Sequence, residues 1–201
     1  MFLDNYLYYF YPRGIIDAYS EAYRESREYR YLKNKIKFAS ESWDIMPLFH
    51  ELSDLITNLK IQNCYLVDVT NFSFNDRCFN FQYRFEDSNS MIIKSICCNL
   101  SILFPTYCIY YIERDYSNIE IGVKTDEKFF NNHFSFFPAE YNYLRKEIDL
   151  ILKSKGLFKI INEDLDKIIP KIAFDIIKFD KMSMFNCLFL NEPYITPKLN
   201  K

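Results

Sequence analysis

Glycine is nearly missing from this chain: 201 residues contain three, Gly14, Gly122 and Gly156. Phosphate cradles and sharp catalytic turns draw on glycine for backbone freedom. No G-x-x-x-x-G-K or G-x-G-x-x-G run occurs, so nucleotide-binding loops of those kinds are excluded. Histidine is almost as scarce, with only His50 and His133 available for acid–base work near neutral pH. Basic charge is not in excess either. Twenty-five Lys and Arg stand against 27 Asp and Glu, a net charge of −2, so no nucleic-acid partner is expected. No apolar run reaches the roughly eighteen residues of a membrane span. Cys-x-x-Cys is absent, and the adjacent Cys97 and Cys98 would point to opposite faces of a strand. No metal site and no cofactor are therefore expected.

What the chain does have is aromatic mass, with 20 Phe and 17 Tyr. Such side chains are the largest units of burial and the favoured anchors of interfaces. Apolar content of 49% with 26% charged residues is ordinary for a folded globular protein. Charge is unevenly spread: residues 1–40 have a balance of +2, and residues 41–76 a balance of −5. Met1 to Tyr11 lacks the basic region and small-residue cleavage site of an export signal. The six cysteines fall in or beside strand-like apolar runs. They are expected to be reduced thiols of a cytoplasmic protein rather than a disulfide set.

With no repeat or linker, a single domain is expected over 1–201. Within it, 1–62 reads as an N-terminal helical part, 63–125 as an antiparallel sheet, 126–190 as C-terminal helices with a last strand, and 191–201 as a fraying tail. After the turn Tyr11-Pro12-Arg13-Gly14, Asp17 or Ser20 can cap a first helix in which Ala22, Tyr29, Leu32, Ile36 and Ala39 keep helical spacing. A second helix near Asp44 carries the stripe Ile45, Leu48, Phe49, Leu52, Leu55, Ile56 and Leu59, with Pro47 in its first turn. In Cys78–Phe85, Phe79, Phe81, Tyr83 and Phe85 alternate with Asn80, Gln82 and Arg84, a strand with one buried and one wet face. Strands are also expected around Tyr65–Val69, Ile96–Phe104, Tyr107–Glu113 and Ile119–Val123. Pro138 introduces a third helix with Leu144, Ile148 and Leu152 inward and Gly156 past its end. Asn162 is placed to cap a short helix, and Ser183–Leu190 reads as the last strand. The class is α+β, an antiparallel meander of five or six strands with N-terminal helices and a C-terminal helix packed on it.

Chemistry is thinly signalled. His50 has the setting of a helix-surface residue, whereas His133 sits in a loop, where functional groups concentrate. The pairs Glu51 with Asp54 and Glu163 with Asp166 have the spacing of solvated helix faces. Clusters of acid nevertheless suit a basic partner, and two are candidates for one: Glu113, Asp115 and Glu120 near the turn after the fourth strand, and Glu51 with Asp54 on the second helix.

The motifs Tyr11-Pro12-Arg13-Gly14-Ile15, the lone Trp43, Leu103-Phe104-Pro105-Thr106-Tyr107 and Met184-Phe185-Asn186-Cys187-Leu188-Phe189 follow one another along most of the chain. In that order the chain resembles small bacterial proteins encoded beside polymorphic toxins, which serve as their immunity proteins. The resemblance implies a non-enzymatic monomer or weak homodimer that occludes the active site of a cognate secreted toxin. Two other classes stay open. One is a small cytosolic hydrolase using His133 with a distant carboxylate; the other is a non-catalytic scaffold or oligomerisation protein built on exposed aromatics.

Overall fold

The computed structural model of the chain describes residues 3–86, 92–115 and 137–191. Its centre is a five-stranded sheet in sequence order, β1 (Cys64–Asp68), β2 (Cys78–Phe85), β3 (Ile92–Ser101), β4 (Thr106–Asp115) and β5 (Phe158–Lys159). The first four strands pair antiparallel, as their short connections without a helical crossover require. The fifth joins β4 in parallel through Phe158 N–H to Pro105 C=O and Ile160 N–H to Tyr107 C=O. It is too short to show a pattern in the sequence. The expected strand at Ile119–Val123 lies outside the described residues.

Helices lie on both sides of this sheet. In the order of the chain they are α1 (Leu3–Leu7), α2 (Glu21–Glu25), α3 (Arg27–Glu41), α4 (Met46–Asn58), α5 (Asn142–Ser154), α6 (Asn162–Leu165) and α7 (Met184–Leu188). On one side, Leu52 and Leu55 of α4 and Leu144, Ile148 and Leu152 of α5 pack on Phe81, Tyr83, Ile96, Cys98, Leu100, Tyr107 and Ile109. Pro47 does occupy the first turn of α4, and Gly156 takes a left-handed φ of +76° just past α5. On the other side, α1–α3 and the C-terminal segment enclose Cys78, Cys97, Cys108, Tyr110 and Ile112.

That second cover corrects the expected wet face of β2. Asn80 and Gln82 are buried, as are Ser95, Asn99 and Thr106 of the neighbouring strands. Asn80 stands opposite Asn99 in the register, and the Asn99 amide approaches the Tyr110 hydroxyl at 3.3 Å. Alternation reports which side chains share a face, but polar residues on a face do not guarantee water there.

Three further expectations change. The run from Ser20 to Glu41 is two helices. Ser26 is extended (φ −59°, ψ 148°), and its hydroxyl accepts from Tyr29 N–H just as that of Ser20 accepts from Tyr23 N–H. A serine oxygen that satisfies a free N–H competes with helix continuation, so Ser26 ends one helix and caps the next. Ser183–Leu190 contains a helix rather than a strand. Ser183 and Asn186 form a reciprocal capping box, and Met184, Phe185, Cys187 and Leu188 are all buried. A segment buried on every side has no periodicity to separate the two readings. Finally, α6 begins at Asn162 itself, with Ile161 before it at the cap position.

The N-terminal tyrosines are divided by this packing. Tyr11 and Tyr23 are fully buried, and their hydroxyls donate to Cys187 C=O and Ala173 C=O at 2.6 Å each. They dock on the C-terminal segment. Tyr6, Tyr9, Tyr19 and Tyr31 remain exposed. Close by, Arg77 is fully buried; it donates to Asn75 C=O and Asn191 Oδ1 and lies 4.7 Å from the Phe174 ring centre. Asp175 accepts from Asn75, Asn191 and Tyr19, so one polar knot joins the N-terminal, central and C-terminal segments.

Candidate functional site

The acidic candidates do not form one patch. Glu51 is at one end of α5, where its carboxylate pairs with Lys155 Nζ at 2.6 Å, and Asp54 is exposed on α4. Glu113 is near the other end, about 20 Å away along the thirteen residues of α5. Asp115 closes β4 opposite Ile92, and its side chain lies outside the described residues, as do Glu120 and His133. His50 is exposed on α4.

Around Glu113 the structure assembles groups far apart in sequence. β2 ends in Phe85, β4 delivers Tyr111 and Glu113 to the same face, and the turn into α5 supplies Tyr141. Phe85 and Tyr141 stack with ring centres 4.3 Å apart, and Tyr111 stacks on Tyr141 at 5.7 Å. The Glu113 carboxylate accepts from the Tyr111 hydroxyl at 2.5 Å, and Glu86 accepts from Tyr65 at 2.7 Å. Beside the stack opens a pocket of about 590 Å3 whose walls include Leu59, Ile61, Phe85, Tyr141, Tyr143 and Leu144. Glu86, Glu140 and Lys94 give it its charge.

Electrostatics at this end follow from burial and acid. Burial pushes the Tyr111 hydroxyl well up, and its bond to Glu113 adds to the effect. Tyr141 is raised by burial and then by Glu140 and Glu113. Both phenols are therefore neutral donors at physiological pH. Glu86 and Glu140 outnumber Lys94 in a partly apolar pocket, a setting that favours a cation over an anion.

A second charged group joins α5 to the sheet. The Tyr107 hydroxyl and Lys153 hold the Asp149 carboxylate at 2.7 and 2.5 Å, with Lys159 at 3.5 Å. Burial pushes the Asp149 carboxyl up, but these partners outweigh it and keep it below the usual range. This network clamps α5 and β5 against β4. No disulfide joins the cysteines among the described residues, and all but half-buried Cys64 are buried. Burial pushes Cys64 up to about 12, which leaves it a poor nucleophile. Among the described residues, no three His, Cys, Asp or Glu side chains converge as metal ligands, and no helix is long and apolar enough to cross a membrane.

Glu113 was legible from sequence as part of an acidic turn; Glu86, Glu140 and Tyr141 were not. Glu86 follows a strand and Glu140 stands two residues past a proline, and no spacing links them. No family model, curated protein or solved structure matches this chain.

Proposed function

We propose that the chain is an inhibitory binding protein that neutralises a cognate secreted toxin, and that the acidic–aromatic pocket receives a basic side chain of that partner. The observation that carries the reading is the Phe85–Tyr141–Tyr111 stack with Glu113 bonded to it and, in the pocket beside it, Glu86 and Glu140 against Lys94, the single cation among the described lining residues. An Arg or Lys entering there gains charge-assisted hydrogen bonds from the carboxylates while its stem packs along the ring edges. A toxin that acts on nucleic acid is basic at its cleft, so the same acids would steer the encounter and cover the active site. The resemblance to immunity proteins points the same way.

Co-expression tests it. The protein encoded beside this chain is expressed alone and with it, and growth arrest by the first should be relieved by the second. Glu86→Lys with Glu140→Lys, both exposed positions, should weaken binding of the purified pair about tenfold or more and abolish rescue. Full rescue and unchanged affinity with that double variant would remove the pocket from the interface.

A further inference from the structure

Eight tyrosines lie within the first 31 residues, and the buried pair Tyr11 and Tyr23 leaves several of the others facing outward. Tyr9 and Tyr31 are 64% and 47% exposed, and exposed rings carry meaning where they cluster rather than where they stand alone. They do not stand singly. Together with Asn5, Arg27, Arg30 and Asn34 they line a groove of about 760 Å3 between α1 and α3. Tyr8 and Glu28 complete its wall. Arg27, Arg30, Tyr31 and Asn34 follow the helical repeat, so one stripe of α3 forms one side, turned away from the buried stripe Leu32, Ile36 and Ala39.

The rings are held before any partner arrives. Tyr31 stacks on Phe10 at 5.2 Å with planes 9° apart, and Lys35 lies 5.7 Å from the same ring centre. Arg13 covers Tyr8 at 4.7 Å, and Tyr6 stacks with Tyr9 at 6.2 Å. Ring faces already matched to neighbours offer edges and hydroxyls to a ligand more than stacking platforms for bases. Most groups along the groove can donate: two guanidinium forks, two amides and the phenols of Tyr9 and Tyr31, while the third phenol, Tyr8, donates to Pro170 C=O. The ion pairs among the described residues engage Lys37, Lys153, Lys155, Lys159 and Lys167, and neither Arg27 nor Arg30 takes part. Asp4, on α1, is matched by Lys167, so Glu28 is the one acid of the groove wall.

From this geometry we infer that the groove between α1 and α3 binds an acidic segment of a protein partner, with Arg27 and Arg30 as bidentate carboxylate anchors. Forks three residues apart on one helix face match carboxylates along an extended chain, while phenols and amides satisfy its backbone. Tyrosine supplies contact area at low entropic cost, because few torsions are frozen on binding. The inference stands apart from the acidic pocket, which lies on the α4/α5 side of the sheet and would take the opposite charge.

The test uses the whole protein and a fluorescein-labelled oligo-glutamate peptide, with fluorescence anisotropy read at low salt. Binding is expected, and Arg27→Glu with Arg30→Glu should weaken it about tenfold or more. Arg27→Lys with Arg30→Lys should fall between, because charge survives and the fork does not. Should the reversal variant misfold by circular dichroism, Arg27→Gln with Arg30→Gln reads the same loss. Glu86→Lys with Glu140→Lys should leave peptide binding undiminished, which separates this groove from the pocket. No binding of the peptide, or equal binding by the arginine variants, overturns the inference. Tighter binding of an oligothymidylate of equal charge overturns it too, in favour of a single-stranded nucleic-acid surface.

Discussion

The two faces of the sheet are built from different material. The face under α4 and α5 is Phe, Tyr, Ile and Leu almost throughout, whereas the face under α1–α3 and the C-terminal segment carries a buried stripe of Asn80, Gln82, Ser95, Asn99 and Thr106. Five described strands thus have one face that water would reject anyway and one that the chain had to cover. Polar groups buried there cost free energy unless paired. Among the described residues, Asn80 Oδ1, Asn99 Oδ1, Ser95 Oγ and Thr106 Oγ1 find no hydrogen-bond partner, and neither do Arg77 Nε and Nη2. The first face supplies driving force; the second is tolerated because the tyrosine hydroxyls and the Arg77 knot bind the ends of the chain over it. Each side also carries one aromatic opening, acidic beside α5 and basic beside α3.

Deleting a ring from the apolar face should do the greatest damage. Phe81 is fully buried between α4 and the sheet and meets Phe49 at 5.1 Å. Phe81→Ala should lower unfolding free energy by about 3–5 kcal/mol in urea titrations. A loss under about 1 kcal/mol would mean that this face is not the main core.

A smaller effect, dependent on pH, is expected at the rim of the second face. Burial pushes the Asp76 carboxyl up to about 6, against the pull of the Asn71 N–H and the Arg77 charge. The folded protein then holds that proton more tightly than the unfolded chain. Its stabilising contribution is full below the ordinary carboxylate range and is lost as pH rises through about 6. Asp76→Asn keeps an acceptor for Asn71 N–H and should raise stability at pH 7 by on the order of 2 kcal/mol, with little change at pH 4. Equal effects at the two pH values would show that Asp76 is ordinarily solvated.

The smallest change should come from the stripe itself. Asn99→Leu removes an unpartnered buried carbonyl and a 3.3 Å contact to Tyr110. Stability measured by the same titration should move by no more than about 1 kcal/mol in either direction. A loss above about 2 kcal/mol would erase the contrast between the faces, because it would show the stripe to be bonded through ordered water.

Much of the framework follows from local pattern. Alternation in β2 and β3 and the stripes of α4 and α5 are short-range signals, since a strand or helix must turn like residues to one side. Pro47 and Gly156 act through their own backbone angles. Ser20 and Ser26 also carry their caps locally, yet the continuous apolar spacing across them hid the break. Glu113 could be singled out because charge is visible in one chain segment, while Tyr141 and Glu86 could not, being neighbours only after β2, β4 and α5 have packed.

By itself, then, the sequence determined the strands β1–β4, their meander, the α4 and α5 faces and the lack of glycine-built phosphate loops. Only the tertiary structure decided that β2 is covered on both sides, that residues 184–188 are helical and that Arg77 is buried against Asn191, 114 positions away. It also divided the tyrosines, sinking Tyr11 and Tyr23 and leaving Tyr9 and Tyr31 beside Arg27 and Arg30. The physical reason is range. Periodicity, caps and turns act over a few residues, whereas burial depends on which distant segment arrives to exclude the water.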